Sequence, residues 1–381
     1  MNYNTFVKVN VLFYSNWYPS EKHPYLGIFV KKHAVSVKQC AINVHIFSFI
    51  LFPSKAIFKK SQSDFVDEFG MTNTQIIIES RFYKLIHILP FIQKKIVSKS
   101  FDKVIREFKP DLLHSNIIYP AALVAFDLSR KYHLPHVITE HWTKIDRFMN
   151  SSLFAKKAKK VYQQASKITA VSLFLKKNIE DYNSAGNVIR IPNVIDLQVF
   201  NYKEKKQKSG QLVFTCVAQW NYPKRLDLIM QSLEQLATEK KQAVKIQVVG
   251  NGAMADQYKT MKWNIDTVFY KNIPPAQIAD LIHASDFFIH ASDIETFSVV
   301  IAEALSTGTP VIASNNTAIV ELINDGNGVL CENDLASWNK GLKQLISKNY
   351  NHKEIAKQCD RFSSDKIGKQ FEEIYHQILK S

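Results

Sequence analysis

The chain has no apolar run that reaches the ~20 residues a membrane-spanning helix requires. Its longest apolar-rich stretch, His45 to Phe52, is far shorter. The N-terminal MNYNTFVKVNVLFYSNW has no charged n-region followed by an apolar h-region and a small-residue cleavage site, so it reads as a first strand and not as a secretory signal. Cysteine is scarce: Cys40, Cys216, Cys331 and Cys359 lie far apart and form no CxxC pair, which argues against a zinc site and a disulfide framework. Reduced thiols in a cytoplasmic protein are the expectation. There is no repeat of solenoid period and no extended low-complexity segment. No DxD-like cluster suited to holding Mg²⁺ against a diphosphate occurs either.

What is present is a folded, two-domain composition. With 46% hydrophobic and 22% charged residues the chain falls among globular proteins, and its 381 residues exceed one ordinary α/β core, so two domains of roughly 150 to 200 residues are expected. The net charge of +15 is lopsided: residues 1–200 hold 28 Lys+Arg against 14 Asp+Glu, the remainder 21 against 20. That field concentrates anionic partners near the first half, be they membrane surface, nucleic acid or phosphorylated acceptor. No recognised nucleic-acid motif and no aromatic stacking series accompanies the lysines, which disfavours a nucleic-acid-binding protein.

Short apolar runs alternate with helix-length segments. Val7 to Tyr14, a helix from about Gly27 to Gln39, and Val44 to Phe49 open the series; Asp111 to Ser115, His136 to Thr139, Lys167 to Val171 and Val188 to Ile191 continue it. The lysine-rich NYKEKKQKSG, 201–210, reads as a linker. A second series follows, with strands near Leu212 to Val217, Val244 to Val249, Phe287 to His290, Pro310 to Ala313 and Gly328 to Leu330. Buried parallel strands need crossover helices on both faces, so each half is expected to be a doubly wound α/β domain, residues 1–200 and 211–364.

The most informative segment is FFIHASDIETFSVVIAEALSTGTPVIAS, Phe287 to Ser314: a strand, a loop with Asp293 and Glu295, a helix from about Phe297, then Gly308 and another strand. Ligands of such sheets bind at the carboxyl ends of strands. The amides at a helix start there, around Thr296, Phe297, Ser298 and Val299, suit a diphosphate. Glu303 follows Glu295 by a rise of at most ~12 Å in helical geometry, and ionised carboxylates accept paired hydrogen bonds from vicinal ribose or hexose hydroxyls.

This segment resembles glycosyltransferase family 4, whose donor motif is a Glu, seven residues and a second Glu, here Glu295 and Glu303. The resemblance implies a retaining enzyme of the GT-B fold, two Rossmann-like domains facing a central cleft. It implies that Glu303 binds the donor ribose, that Glu295 contacts the transferred sugar, and that Phe297 and Ser298 lie at the phosphates. FTCVAQWNYPKRLDLIMQSL, Phe214 to Leu233, is similar to the family's phosphate-binding strand-loop-helix; Lys224 matches its lysine, but Ala218 and Gln219 stand where Gly and Arg are usual, with Arg225 as a candidate substitute. A surface Lys-Arg pair opening a helix is the plainer alternative.

VVGNG, Val248 to Gly252, resembles the family's turn near the nucleotide, which points to Gly250, although a structural turn explains it as well. YKNIPPAQIADLIHASD resembles the base-binding region and points to Asn272 and Ile273. In the first half, YPSEKHPYLGIFVKKH matches the loop whose glycine approaches the donor phosphate, hence Gly27, with an ordinary helix-start glycine as the alternative. ITEHWTK matches the placement of a histidine facing the donor sugar, hence His141. Asn193 in IPNVID is read as fixing a turn. The final helix, about Asp365 to Leu379 within 365–381, packs back on the first domain in this fold.

The catalytic set is therefore Glu295, His141 and Lys224, without metal or cofactor, the nucleotide-diphosphate sugar being co-substrate. A hexosyltransferase acting on a glycan or lipid-linked acceptor in cell-surface polysaccharide synthesis is implied; a GT-B epimerase or hydrolase is the rival reading. The basic, apolar YKLIHILPFIQKKIVSKSFDKVI, Tyr83 to Ile105, is either a membrane-resting face on the inner leaflet or a helix covering the sheet with its lysines in water.

Overall fold

Two largely parallel sheets organise the chain in the computed structural model, which describes residues 8–151, 153–183, 188–204 and 210–380. The chain divides into one unit of Met1–Val194 with Ser364–Ser381 and a second of Ile195–Ser363. In the first unit the elements are β1 (Asn10–Ser15), α1 (Ile28–Gln39), β2 (Asn43–Pro53), β3 (Lys59–Val66), β4 (Thr72–Ser80), α2 (Tyr83–Ile88), α3 (Pro90–Phe108), β5 (Leu112–Asn116), α4 (Leu123–Tyr132), β6 (His136–Glu140), α5 (Ile145–Ser151), α6 (Ala155–Gln164), β7 (Lys167–Ala170), α7 (Leu173–Asn183) and β8 (Val188–Arg190).

The strands order as β3-β4-β2-β1-β5-β6-β7-β8, parallel except for β3, which runs antiparallel to β4. Strand periodicity explains the layering. Val11 and Phe13 of β1 join a core with Val30 and Val37 of α1, while Leu12 and Tyr14 face Phe101 of α3 and Val124 of α4. Helices thus cover both faces of a sheet whose central strands, β1 and β5, are buried almost throughout, polar residues such as His114 and Asn116 included.

The second unit contains β9 (Leu212–Val217), α8 (Leu226–Lys240), β10 (Val244–Val249), α9 (Ala253–Lys259), β11 (Asp266–Tyr270), α10 (Pro275–His283), β12 (Phe287–His290), α11 (Val299–Ser306), β13 (Val311–Ser314), β14 (Gly328–Cys331), α12 (Leu335–Ser347) and α13 (His352–Lys357). Its strands order as β11-β10-β9-β12-β13-β14, all parallel. The last helix, α14 (Ser364–Lys380), returns to the first unit. There a Cβ on Gly368 would lie 2.2 Å from the Ser36 carbonyl oxygen, so α14 meets α1 backbone to backbone, and Phe371 and Tyr375 complete the core around Val30.

Several elements differ from the sequence reading. β3, β4 and β11 were not anticipated. β3 is exposed along its whole length and β11 is only partly buried, so neither shows a strand's apolar run. Tyr83 to Ile105 is two helices, because Leu89 is extended and Pro90 occupies the first position of α3. The late helix begins at Val299 and not Phe297, since Ser298 takes the left-handed conformation. The division between units falls after Val194, ahead of residue 200, and of the expected linker 201–210 the residues 205–209 lie outside the described ones, as do 1–7 of the first strand. Among the described residues no helix is long and apolar enough to cross a membrane.

Candidate functional site

In the second unit the chain runs outward from β9 to β10 and β11, then returns to place β12 on the other side of β9. Such a reversal opens a crevice at the carboxyl ends of the two strands, the ligand position of open α/β sheets. The loops leaving β9 and β12 meet there: Lys224 bridges Ser292 through the backbone, the Arg225 amide donates to the Ala291 carbonyl at 3.0 Å, and the Asp293 amide to the Pro223 carbonyl at 2.9 Å.

Across this junction the Lys224 ammonium donates to Glu295 Oε1, the same oxygen that lies 2.8 Å from His290 Nε2. Glu295 is only 13% exposed, and its backbone is fixed by Thr317 Oγ1, which accepts from the Glu295 amide at 2.9 Å. Burial on its own raises a carboxyl; here the Lys224 charge and the His290 hydrogen bond outweigh it and hold Glu295 at about 2. His290, at the end of β12 and fully buried, is pushed below the ordinary histidine value by burial, against the pull of Glu295. A neutral ring donating from Nε2 fits both facts, with Nδ1 buried and unpartnered. His290 escaped the sequence reading because a lone histidine at a strand end carries no spacing signal.

Arg225 is engaged by carboxylates: its guanidinium donates to both oxygens of Asp227 at 2.8 to 3.1 Å and lies 3.5 Å from Asp293. At the start of α11, Ser298 sits at φ 65°, a strained position for a residue with a side chain, and its hydroxyl is buried without a partner. Phe297 is a core residue, its ring 5.3 Å from that of Phe362, so only its backbone faces the loop. Thr296 and Val299 are half-buried beside it, and Glu303 is half-buried on α11.

Gly250 and Gly252 have a structural cause. At φ 124° and 128°, a Cβ on Gly250 would come within 1.8 Å of the Ala218 carbonyl oxygen and one on Gly252 within 2.5 Å of that of Trp220. The glycines let the β10 turn press on the loop leading to Lys224. Asn272, also left-handed at φ 53°, accepts from the Asn251 side chain at 3.2 Å, with half-buried Ile273 next to it.

In the first unit the reversal lies between β1 and β5. Gly27 caps α1 at φ 65°, and a Cβ there would lie 2.2 Å from the Trp17 carbonyl oxygen. His141 follows β6. Its Nε2 is 3.2 Å from Asn116 Oδ1, the Asn193 side chain lies against it, and its ring lies 4.4 Å from that of Phe29. Burial first, then His33 and His114, depress its pKa well below normal, leaving a neutral imidazole. What holds this turn is Glu140, a residue the sequence reading did not single out: its carboxylate accepts from the amides of Ile118 at 2.7 Å and of His141 and Trp142 at 3.0 Å, and from Tyr162 Oη at 3.0 Å. Alongside, Ile117 takes φ 69°, a true outlier for a β-branched residue. Asn193 is buried. Among the described residues no group of three or more His, Cys, Asp or Glu is placed to hold a metal ion.

Comparison with known proteins agrees with this geometry. The profile of glycosyl transferases group 1 matches residues 199–366, and that of Glycosyltransferase Family 4 matches 66–199. The chain is 23% identical over 316 residues to alpha-monoglucosyldiacylglycerol synthase of Streptococcus pneumoniae, covering 75% of this chain and 71% of the relative. It is 24% identical to N-acetyl-alpha-D-glucosaminyl L-malate synthase of Bacillus anthracis, covering 71% and 75%. Among solved structures, sucrose-phosphate synthase of Thermosynechococcus elongatus superposes with a TM-score of 0.76 at 14% identity, over 98% of this chain and 99% of that one. Anabaena HepE in complex with UDP and glucose gives 0.69 at 17% identity, over 97% and 99%. The fold is GT-B, and the chain belongs to glycosyltransferase family 4.

Proposed function

We propose that this glycosyltransferase moves a hexose-type sugar, with retention of configuration, from a nucleotide-diphosphate sugar to a hydroxyl of a glycan or lipid-linked acceptor in cell-surface polysaccharide synthesis, working in the cytoplasm against the membrane. The observation that carries the donor part is the meeting of Lys224, Glu295 and His290 at the β9/β12 reversal. The names of relatives support the chemistry: one synthesises a monoglucosyl lipid, and HepE was captured with UDP and glucose.

In this reading the first-turn amides of α11 and the Lys224 ammonium hold the diphosphate, so that no metal is needed. Glu295, its Oε1 already shared by Lys224 and His290, orients a sugar hydroxyl. The acceptor oxygen attacks the anomeric carbon, the bond to the diphosphate breaks, and a departing phosphate oxygen takes the acceptor proton. Gly250, Asn272 and Ile273 are assigned to the nucleoside, Arg225, Thr296, Phe297, Ser298 and Val299 to the phosphates, and Gly27 and His141 to the donor from the first unit.

Glu303 provides the test. A carboxylate gripping both ribose hydroxyls makes two charge-assisted hydrogen bonds, each worth about 1.5–3 kcal/mol. Glu303→Ala is expected to weaken donor binding about 10²-fold or more and to erase the thermal shift that UDP-, GDP- or ADP-sugars give the native protein. If the variant keeps its donor shift, Glu303 does not hold the ribose. Donor turnover with no acceptor dependence identifies an epimerase or hydrolase instead.

Ser298→Gly separates folding from binding. Relief of the left-handed serine is expected to stabilise the second unit by about 1 kcal/mol, a rise of roughly 2–4 °C in its thermal transition. Loss of the unpartnered hydroxyl is expected to weaken donor binding about fivefold. A variant that is more stable and binds donor unchanged shows that the hydroxyl makes no donor contact.

A further inference from the structure

We propose that the first unit docks on an anionic lipid bilayer through an apolar lip formed by Ile57, Phe58, Phe82, Leu85, Ile88 and Phe91, rimmed by cations. The inference deepens the acceptor half of the proposed function, but it stands on the surface of the first unit alone.

These six side chains are 46% to 63% exposed, an unusual concentration of large apolar groups in water. Phe82, Leu85, Ile88 and Phe91 recur every third residue through α2 and its junction with α3, while Ile86 and Pro90 between them are buried. The segment carrying Ile57 and Phe58 is tied to the same place, since the Arg81 amide donates to the Ala56 carbonyl at 2.7 Å and Ser80 Oγ to the Ile57 carbonyl at 2.5 Å. The structure also narrows the membrane-facing stretch read from sequence. Val97, Phe101 and Val104 of α3 are buried in the core, so α3 offers lysines but no apolar face beyond its first turn.

Charge selects the partner. From Ser80 to Phe101 the chain carries Arg81, Lys84, Lys94, Lys95 and Lys99 and no carboxylate. Lys55, Lys59 and Lys60 on the neighbouring segment are exposed as well. Apolar side chains ringed by cations match a surface that is negative outside and hydrocarbon beneath, which is an anionic bilayer. A soluble polyanion would use the cations and leave the apolar lip in water.

Position links the lip to chemistry. β2 and β4 are parallel to β1, β5 and β6, so the segments leaving their carboxyl ends lie at the same edge of the sheet as His141 after β6. Tyr119, after β5, donates to the Ile88 carbonyl at 2.7 Å, and its ring stacks 6.5 Å from that of Trp142, the residue next to His141. A bilayer bound at the lip therefore presents its headgroups to the ligand edge of this unit.

The test is co-sedimentation of the full chain with phosphatidylglycerol-containing vesicles and with pure phosphatidylcholine vesicles, at low and high salt. Binding to the anionic vesicles only, lost at high salt, is expected. L85S/I88S/F91S alters exposed side chains and is expected to reduce binding about tenfold or more with an unchanged thermal transition. K84E/K95E is expected to reduce it about fivefold or more for each charge. Absence of binding to anionic vesicles at low salt overturns the proposal, as does binding that the apolar triple variant leaves intact. If the triple variant instead converts a dimer to a monomer while vesicle binding stays, the lip is a contact between copies of the chain and the proposal fails. None of these outcomes involves turnover, so none bears on the donor site.

Discussion

Replacing Lys224 by alanine is expected to lower kcat about 10²–10³-fold, the range typical for removal of one positioned electrostatic donor. The ammonium sits in a half-buried junction against Glu295, where screening by water is weak and charge developing on a departing diphosphate is felt strongly. If the interaction strengthens only as the bond breaks, kcat falls and KM moves little. Lys224→Arg keeps the charge and is expected to recover part of the loss, and a chelator is expected to change neither protein.

The same substitution has a readout in acid. Glu295 is held at about 2 against its ordinary 4.5. A carboxyl lowered by folding adds stability that is complete above pH 4.5 and drains away as pH falls toward 2. The contribution is on the order of 3 kcal/mol. Without the Lys224 charge it shrinks, so acid unfolding of Lys224→Ala is expected to begin at higher pH than in the native protein. Native-like kcat together with a native-like acid midpoint would remove Lys224 from both roles.

Gly250→Ala is expected to destabilise the second unit by about 3 kcal/mol or more, combining left-sided backbone strain with a collision that backbone must absorb. The new methyl would stand 1.8 Å from the Ala218 carbonyl oxygen. For a unit of this size that is a fall of roughly 6–12 °C in its calorimetric transition. Transfer activity is expected to fall with it, because Ala218 opens the loop that ends at Lys224. Gly326→Ala is the control: the nearest atom to its Cβ is the Asn324 side-chain oxygen at 3.1 Å, and its φ is not left-handed, so a change within about 0.5 kcal/mol is expected. Equal transitions for the two variants would show that the β10 turn yields freely.

The central strands were readable because burial on both faces leaves short runs dominated by apolar and β-branched residues, as in LVFTCV of β9 and VKIQVV of β10. Edge strands were not: KKSQSDFV of β3 is exposed throughout and pairs only with β4. The end of β12 was legible through the spacing of its two glutamates, but the residues that set its electrostatics were only half visible. Lys224 belongs to a sequence pattern, whereas His290 reaches Glu295 by strand geometry that no periodicity records. Glu140 is similar, since one carboxylate beside a histidine says nothing until Ile118 and Tyr162 close on it from other elements. The start of α11 was misplaced by two residues because Ser298 adopts a conformation usually left to glycine.

The return of α14 to the first unit makes the second unit an insertion between two parts of a single core. During synthesis from the N-terminus, the ribosome finishes all of Ile195–Ser363 before it supplies Phe371 and Tyr375, so the nascent first unit waits, one wall open, until the whole second unit has been made. A stop codon just after Ser363 would spare every donor-side residue yet still strip that wall, and the lesion would lie a whole unit downstream of the strands it exposes.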